Sequence, residues 1–558
     1  MQYNAADLEA SKATEKDEYA AGLKNDVLSE KVKGVEERTP LLPGRERHQA
    51  LSSYITDLRH NFGCNLLILL FVCQHLLKGC AGSLVNKAVP YLYRKFHVAA
   101  PQAQIYGGIV NLPWAMKPIC GLVSDVMPIF GYHKGPYILI VAVLGAYGYV
   151  NIALFTPDQV KWVVIYLVFI TFQISVTDLL TEAKYAEKIK AAPHAGPSLL
   201  TYVWTGINVG AFFAVMASGP LLDNFGSRAC LMVAAIPAML VIAPLAAGCL
   251  EEKQVSSEEV AETRRRYYEQ KEACFLCFIM LAGTLTIMAV GVLKEDPWLN
   301  SAVAVGVGCT VLACFSMALT PVIAKANAFA VLYTAMGAST SGASFYFYTD
   351  SPEMYPEGPH FSDFFYNSVI GTCGTAFTLI GLFVYQTYLG SMSYRKLIII
   401  TTVVSSVLSF VDILMFARVN VKLGIPDDML VLGMSVFQSM LWEWQWMPQV
   451  VLLANLCPKG MEATMFALLA GCHNLGTTIS SSTGALLLHC LGVAPRGEAG
   501  ESAQFENLWI AASVSTVLPL FAAVLLQQLL PDSRQDEKLD AVEDPTKDSI
   551  LRRWLGRA

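Results

Sequence analysis

Apolar residues in this chain gather into long runs separated by short polar breaks, with no two-residue alternation. Such runs occupy 64–85, 105–122, 136–155, 162–180, 199–221 and 229–249 in a first group. A second group covers 273–293, 302–323, 328–348, 364–389, 397–416, 429–456, 463–488 and 508–530. A bilayer crossing takes ~20 mainly apolar residues. The pattern therefore predicts about fourteen transmembrane segments. Lipid offers the backbone no hydrogen-bond partners, so spans of this length must be α-helices; barrel strands would be about half as long and would alternate. The fold class expected is an all-α polytopic membrane protein.

Composition agrees. With 54% hydrophobic and only 15% charged residues over 558 positions, the chain is too apolar for an ordinary soluble protein. Residues 1–60 are rich in Glu, Asp, Lys and Ala without a sustained apolar face, and read as a disordered tail. No cleavable signal peptide is expected, because the first apolar run begins near Cys64. Glu37 followed by Leu41 and Leu42 fits an acidic dileucine sorting pattern, which also arises by chance. The charged stretch 251–272 reads as a solvated, helix-prone linker, dividing a half at 61–250 from two additional spans at 273–325 and a second half at 326–531. Residues 532–558 form the C-terminal tail.

Lys and Arg in short loops set orientation. The groups at His133-Lys134, 184–190, Arg264-Arg265-Arg266, Arg395-Lys396, Lys459 and Arg552-Arg553 fall on one side, and the acidic stretch 350–363 on the other. Both termini are therefore expected to be cytoplasmic, in a multi-pass protein of the cell membrane. Lys87, Arg94, Lys95, Arg418 and Lys422 are exceptions on the outer side.

The fourteen cysteines lie mostly within apolar runs, which argues for small buried hydrophobes over a disulfide framework. Cys274 and Cys277 make a lone C-x-x-C without a second pair, so no metal is expected. No H-E-x-x-H, G-x-S-x-G or phosphate-binding loop occurs, so neither an enzyme, nor ATP hydrolysis, nor a cofactor is expected, and nothing points to nucleic acid.

Charges placed inside spans carry the candidate chemistry, since each costs ~2.5 to 3.5 kcal/mol and needs a partner or a wet cavity. These are Lys78, Lys117, Asp178, Glu182, Asp412 and Glu443. Asp178 and Glu182, four apart on one helix face, are candidates for proton uptake; an ion pair with Lys184 or Lys117, or a helix end reaching the interface, reads equally well. Glu443 stands among Trp442, Trp444 and Trp446 at mid-span depth, where solute sites of transporters lie. Gly206 and Gly210 form a small-xxx-small face suited to close helix packing.

Two long motifs carry a family resemblance. The run Pro113-Trp114-Ala115-Met116-Lys117-Pro118-Ile119-Cys120-Gly121-Leu122-Val123-Ser124-Asp125-Val126-Met127-Pro128, followed by Gly131-Tyr132 and Gly135-Pro136-Tyr137, resembles the signature of the folate-biopterin transporter family of the major facilitator superfamily. Pro448 through Leu469, with Asn474-Leu475-Gly476, resembles its C-terminal signature; Phe345 to Thr349 and Gly424 to Asp427 add support. The resemblance covers roughly 66–530. It departs where His133, Lys134 and Gly135 stand in place of consecutive arginines.

The resemblance implies a major-facilitator-type bundle of twelve core helices, here with two extra spans, in which two halves rock about a central solute. It implies a secondary-active, proton-coupled carrier of folate, biopterin or a related solute, embedded in the lipid bilayer. Trp442, Trp446, Phe345 and Tyr346 would stack on a pterin ring, Glu443 or Asp178 would accept its donors, and Lys117 would meet the carboxylates. Asp178, Glu182 and Glu443 would couple protons, while Pro113, Pro118, Gly121, Asp125 and Arg395 would serve conformational change. S-adenosylmethionine is the competing substrate, and a non-transporting nutrient sensor the competing role.

Overall fold

The computed structural model describes residues 44–155, 157–457, 462–537 and 544–554. The first 61 residues form a unit of their own, and the Glu37, Leu41, Leu42 pattern lies outside the described residues. The described end of this tail is a helix, α1 (Gly44–Phe62), where disorder was expected. Tyr54, Ile55 and Leu58 recur there at helical spacing, and Arg59 and His60 suit the negative end of the helix dipole.

The second unit is helical throughout, with two isolated bridges as the only β pairing among the described residues. Among these residues, nine helical stretches are long and apolar enough to cross a membrane. They include α2 (Cys64–Lys95), α5 (Gly135–Ala153), α6 (Val160–Ala191) and α7 (Gly196–Leu240). The others are α9 (Lys271–Leu293), α10 (Pro297–Ala318), α13 (Phe364–Leu389), α14 (Tyr394–Phe416) and α17 (Leu508–Leu526). Helix α7 is two helices joined at Gly226, whose φ of 78° only glycine adopts cheaply. Cys230 Sγ lies 4.0 Å from the Ser218 carbonyl oxygen. Twelve residues of straight helix would separate these groups by ~18 Å, so the chain reverses there.

The remaining predicted spans are interrupted or polar at their centres. One is split into α3 (Ala100–Ala115) and α4 (Lys117–Val126), because Pro118 lacks an N–H and its ring excludes a continuous turn. Another is split into α11 (Pro321–Ala335) and α12 (Ser341–Thr349) by an unwound segment at 336–340, where Ala338 has a φ of 39°. Helices α15 (Asp427–Leu456) and α16 (Glu462–Cys490) are long enough, at 30 and 29 residues, but carry glutamines, serines and threonines through their middles.

Unwound backbone at that depth persists only where protein groups satisfy it. Ser339 N–H donates to Ser480, its carbonyl accepts from Gln104 Nε2 at 2.6 Å, and Gly342 N–H donates to Gln104 Oε1 at 3.1 Å. Helices α9 and α10 pack against the bundle through Ile287, Ala304, Val311 and Phe315, which share a buried cluster with Leu112 of α3 and Ile479 of α16. Gly206 and Gly210 do mark a close approach: a methyl at either would overlap His75 of α2.

The charged linker holds helix α8 (Ser257–Glu269), which starts with a reciprocal capping box between Ser256 and Glu259. The C-terminal segment is tied to the bundle: Pro545 accepts from Thr320 N–H at 2.8 Å, and Ser533 from Tyr394 N–H at 3.3 Å.

Candidate functional site

Four charges from three helices meet in one cluster. Asp178 on α6 is 1% exposed and accepts from Lys78 of α2 at 2.8 Å and from Lys117 of α4 at 2.5 Å. Glu182, one turn further along α6, lies 3.6 Å from Lys117 and is the more exposed carboxylate. Trp114 underlies both ammonium groups, at 5.7 Å from Lys78 and 4.7 Å from Lys117. Lys117 stands at the first position of α4 because the chain breaks at Met116, which aims it across at α6. Of the two lysines expected from sequence as ion-pair partners for this face, Lys117 is the one that reaches Asp178. Lys184 turns instead to Glu187 and to the carbonyl of Glu251.

A separate set of cavities surrounds the unwound segment between α11 and α12. The first, of about 480 Å³, is lined by Lys87, Tyr91, Gln104, Ser339, Phe345, Tyr346 and Tyr366 among others. The second, of about 900 Å³, shares Lys87, Ser339 and Tyr366 and adds Tyr348, Asp412, Gln438 and Trp442. The third, of about 580 Å³, shares Ser339, Gln438 and Trp442 and adds Gln445, Trp446, Gln449 and His473. Ser339 borders all three, so they are grouped around it.

On α15 the cavity face runs Gln438, Trp442, Gln445, Trp446, Gln449, the spacing of one helical stripe. Trp446 packs on His473 with ring centres 4.6 Å apart, and Gln449 Oε1 is buried without a hydrogen-bond partner among the described residues. In the second cavity Asp412 has Tyr348 Oη at 3.4 Å. Lys87 has no carboxylate within ion-pair distance among the described residues.

A sequence model described as the BT1 family matches residues 78–550, spanning both the charge cluster and the cavities. The chain belongs to the BT1 family. Among its relatives, "Folate-biopterin transporter" of Synechocystis sp. is 27% identical over 492 residues, covering 87% of this chain and 86% of that one. "Probable folate-biopterin transporter 6" of Arabidopsis thaliana is 26% identical, covering 82% and 80%. "Folate transporter 2" of Plasmodium falciparum is 24% identical, covering 82% and 86%. Among solved structures, a D-xylose-proton symporter superposes with a TM-score of 0.56 at 14% identity, over 85% of this chain and 99% of that one. An auto-inhibited peptide transporter of the POT family gives 0.57 at 12%, over 86% and 99%. The BT1-family chain thus has the major-facilitator fold and is a multi-pass membrane transporter, not an enzyme.

Within this BT1-family chain the residues singled out from sequence divide between the two places. Phe345, Tyr346, Trp442 and Trp446 line the cavities. Lys117, Asp178 and Glu182 line none of the three and belong to the charge cluster. Glu443 is 9% exposed, lines none of the three cavities, and has no hydrogen-bond or ion-pair partner among the described residues. Adjacent helix positions differ by ~100° in direction, so the neighbour of Trp442 leaves the cavity face. Trp444 leaves it too, donating to the Gly381 carbonyl at 2.9 Å.

Pro113 and Pro118 flank the break in the α3/α4 span. A methyl added at Gly121 would meet Leu179 of α6 only at ordinary contact distance, so this glycine marks no forced close approach. Asp125 accepts from Tyr267 of the linker helix at 2.7 Å, and the same hydroxyl lies 3.2 Å from Thr464 of α16, so three segments meet on one phenol. Arg395 donates to the Leu530 carbonyl and pairs with Asp532 at 3.4 Å. Where the signature departs from arginines, Glu252 accepts from the backbone N–H groups of His133, Lys134 and Gly135 at 2.7 to 2.8 Å. A carboxylate thus caps the start of α5.

Sequence reasoning gives no site role to Lys87, Tyr366 or the three glutamines, and marks Asp412 only as a charge within a span. Helix α2 runs 32 residues, past the predicted end at 85, and this carries Lys87 into the bundle.

Proposed function

We propose that this protein is a secondary-active carrier of folate- or pterin-type solutes, driven by protons and working by alternating access. The observation that carries the reading is the cavity around Ser339. Trp442 and Trp446 offer flat faces, the Gln445 amide lines the cavity, Gln449 Oε1 lacks a partner among the described residues, and Gln438 is held by Ser405 and Ser409. A pterin needs both features, since its ring is flat and its edge alternates donors and acceptors. The names of the relatives from Synechocystis, Arabidopsis and Plasmodium point to the same solutes.

Alternating access fits a site walled by both proposed halves, 61–250 and 326–531. One half brings Lys87, Tyr91 and Gln104, the other Asp412, Trp442 and Trp446. Contacts between the halves occur at both ends of the bundle. At one end Arg94 donates to Thr349 at 3.1 Å and Tyr346 to the Val98 carbonyl at 2.7 Å; at the other, Tyr267 joins Asp125 and Thr464. Rocking would break one set while the other holds.

For protons, Glu182 is the candidate entry: it is partly open, and it competes with the better-placed Asp178 for Lys117. Glu443, a buried carboxyl without a cation beside it among the described residues, is the second. The Lys and Arg loops support a cell-membrane protein with both termini cytoplasmic.

The test is uptake of radiolabelled folate into transport-deficient cells expressing the chain, with unlabelled biopterin or S-adenosylmethionine as competitor and outside pH varied. Saturable uptake blocked by biopterin and raised by acid is expected. Absence of folate and biopterin uptake by protein shown to be in the membrane would refute the reading.

A further inference from the structure

Three lysines lie inside the membrane-spanning part of the first two spans, and the structure treats them differently. Lys78 and Lys117 are both answered by Asp178. Lys87 sits eight residues before the end of α2, or ~12 Å along the helix axis. It borders two of the three cavities. Its ammonium lies beside α13 near Gly371, where a methyl added to the glycine would come 3.3 Å from Lys87 Nζ and closer still, 2.5 Å, to Val215. A charge at such depth is retained where something compensates it, and among the described residues no carboxylate does. Asp412, the opposite charge bordering the same 900 Å³ cavity, is likewise answered only by a long hydroxyl contact among the described residues.

We propose that Lys87 selects solutes bearing an anionic tail, binding the tail carboxylate at the border it shares between the first two cavities, while Asp412 takes the hydrogen-bond donors of the ring system. The proposal rests on the reading of this cavity as the solute site, and it names the charge pattern of the solute: a donor-rich ring at one end and a carboxylate at the other. Lys117, the cation expected from sequence to take this part, is already committed to Asp178 at 2.5 Å and borders none of the cavities. Lys87 acts as a specificity residue, because a pterin without a carboxylate makes no use of it.

The experiment compares folate uptake with biopterin uptake in the full-length wild type, Lys87→Gln and Lys87→Arg, each normalised to protein in the membrane. Lys87→Gln should lower the folate-to-biopterin ratio ~10-fold or more, as expected for one charge-assisted hydrogen bond, and Lys87→Arg should restore most of it. An unchanged ratio, whether both uptakes fall together or neither does, overturns the proposal while leaving the solute reading intact. A wild type that carries neither solute overturns the solute reading itself, and this inference with it.

Discussion

Replacing Asp178 by Asn would remove a carboxylate that two lysines from different helices share. The carboxylate is 1% exposed and the lysine side chains only 18% and 11%, so neither cation can simply turn to water. Removing one partner of a buried pair costs ~3 to 5 kcal/mol, because the remaining charge is stranded. Glu182 at 3.6 Å recovers part of this for Lys117, which places Asp178→Asn near ~3 kcal/mol. Lys117→Met should cost less, since Asp178 keeps Lys78. The double variant Lys117→Met/Asp178→Asn strands one lysine where Asp178→Asn strands two, so it should fall short of the summed costs by ~1 to 3 kcal/mol. Reversible unfolding in mixed micelles, titrated with sodium dodecyl sulfate and followed by tryptophan fluorescence, reads the cycle. Additivity within ~0.5 kcal/mol would refute the shared-carboxylate account.

Three further outcomes follow from other parts of the molecule. Asp350, outside the spans at the end of α12, is pushed from an ordinary value of 3.8 up to about 7 by burial, with Glu501 adding and Arg94 opposing. The folded state therefore holds its proton more tightly than the unfolded one, so this group's contribution to stability is full below the ordinary value and is lost as pH rises toward 7. Asp350→Asn should flatten the pH dependence of thermal stability between those limits, and an unchanged slope would count against it. Trp446→Ala should weaken binding of folate and biopterin alike by ~2- to 10-fold through lost stacking, read as a rise in the half-saturation concentration of each. Gly210→Leu should sharply reduce the folded protein recovered in detergent, because its side chain would collide with the His75 backbone of α2; normal recovery and uptake would show that α2 and α7 can separate.

The fold is legible in the sequence because lipid imposes one rule on every span, and the apolar runs record it. The charge cluster is legible in part: Lys117 and Asp178 pair as one of two alternatives, but the join to Lys78 depends on how three helices pack. Lys87 reads as a loop cation, since an apolar run shows where hydrophobicity ends and not where the helix does; α2 continues through Pro90 to Lys95. Glu443 illustrates a different loss. Nearness in sequence to Trp442 and Trp446 suggests nearness in space, whereas the stripe Gln438, Trp442, Gln445, Gln449 is present in the spacing and excludes position 443. The unwound segment at 336–340 carries Gly337 and a run of small polar residues, a signal for a break that hydropathy alone averages away.

With all four groups ionised, the two lysines and two carboxylates at Asp178 sum to zero charge. An elementary charge moved across 100 mV changes the energy by ~2.3 kcal/mol, whereas a balanced set that shifts as one body does no electrical work. Lys78, Lys117, Asp178 and Glu182 can then shift as one body in an energised membrane without being pulled by its voltage, which leaves Lys87 as a charge on α2 that the field can act on. Current recorded from a bilayer holding this carrier would then carry no contribution from this cluster while its four groups stay ionised.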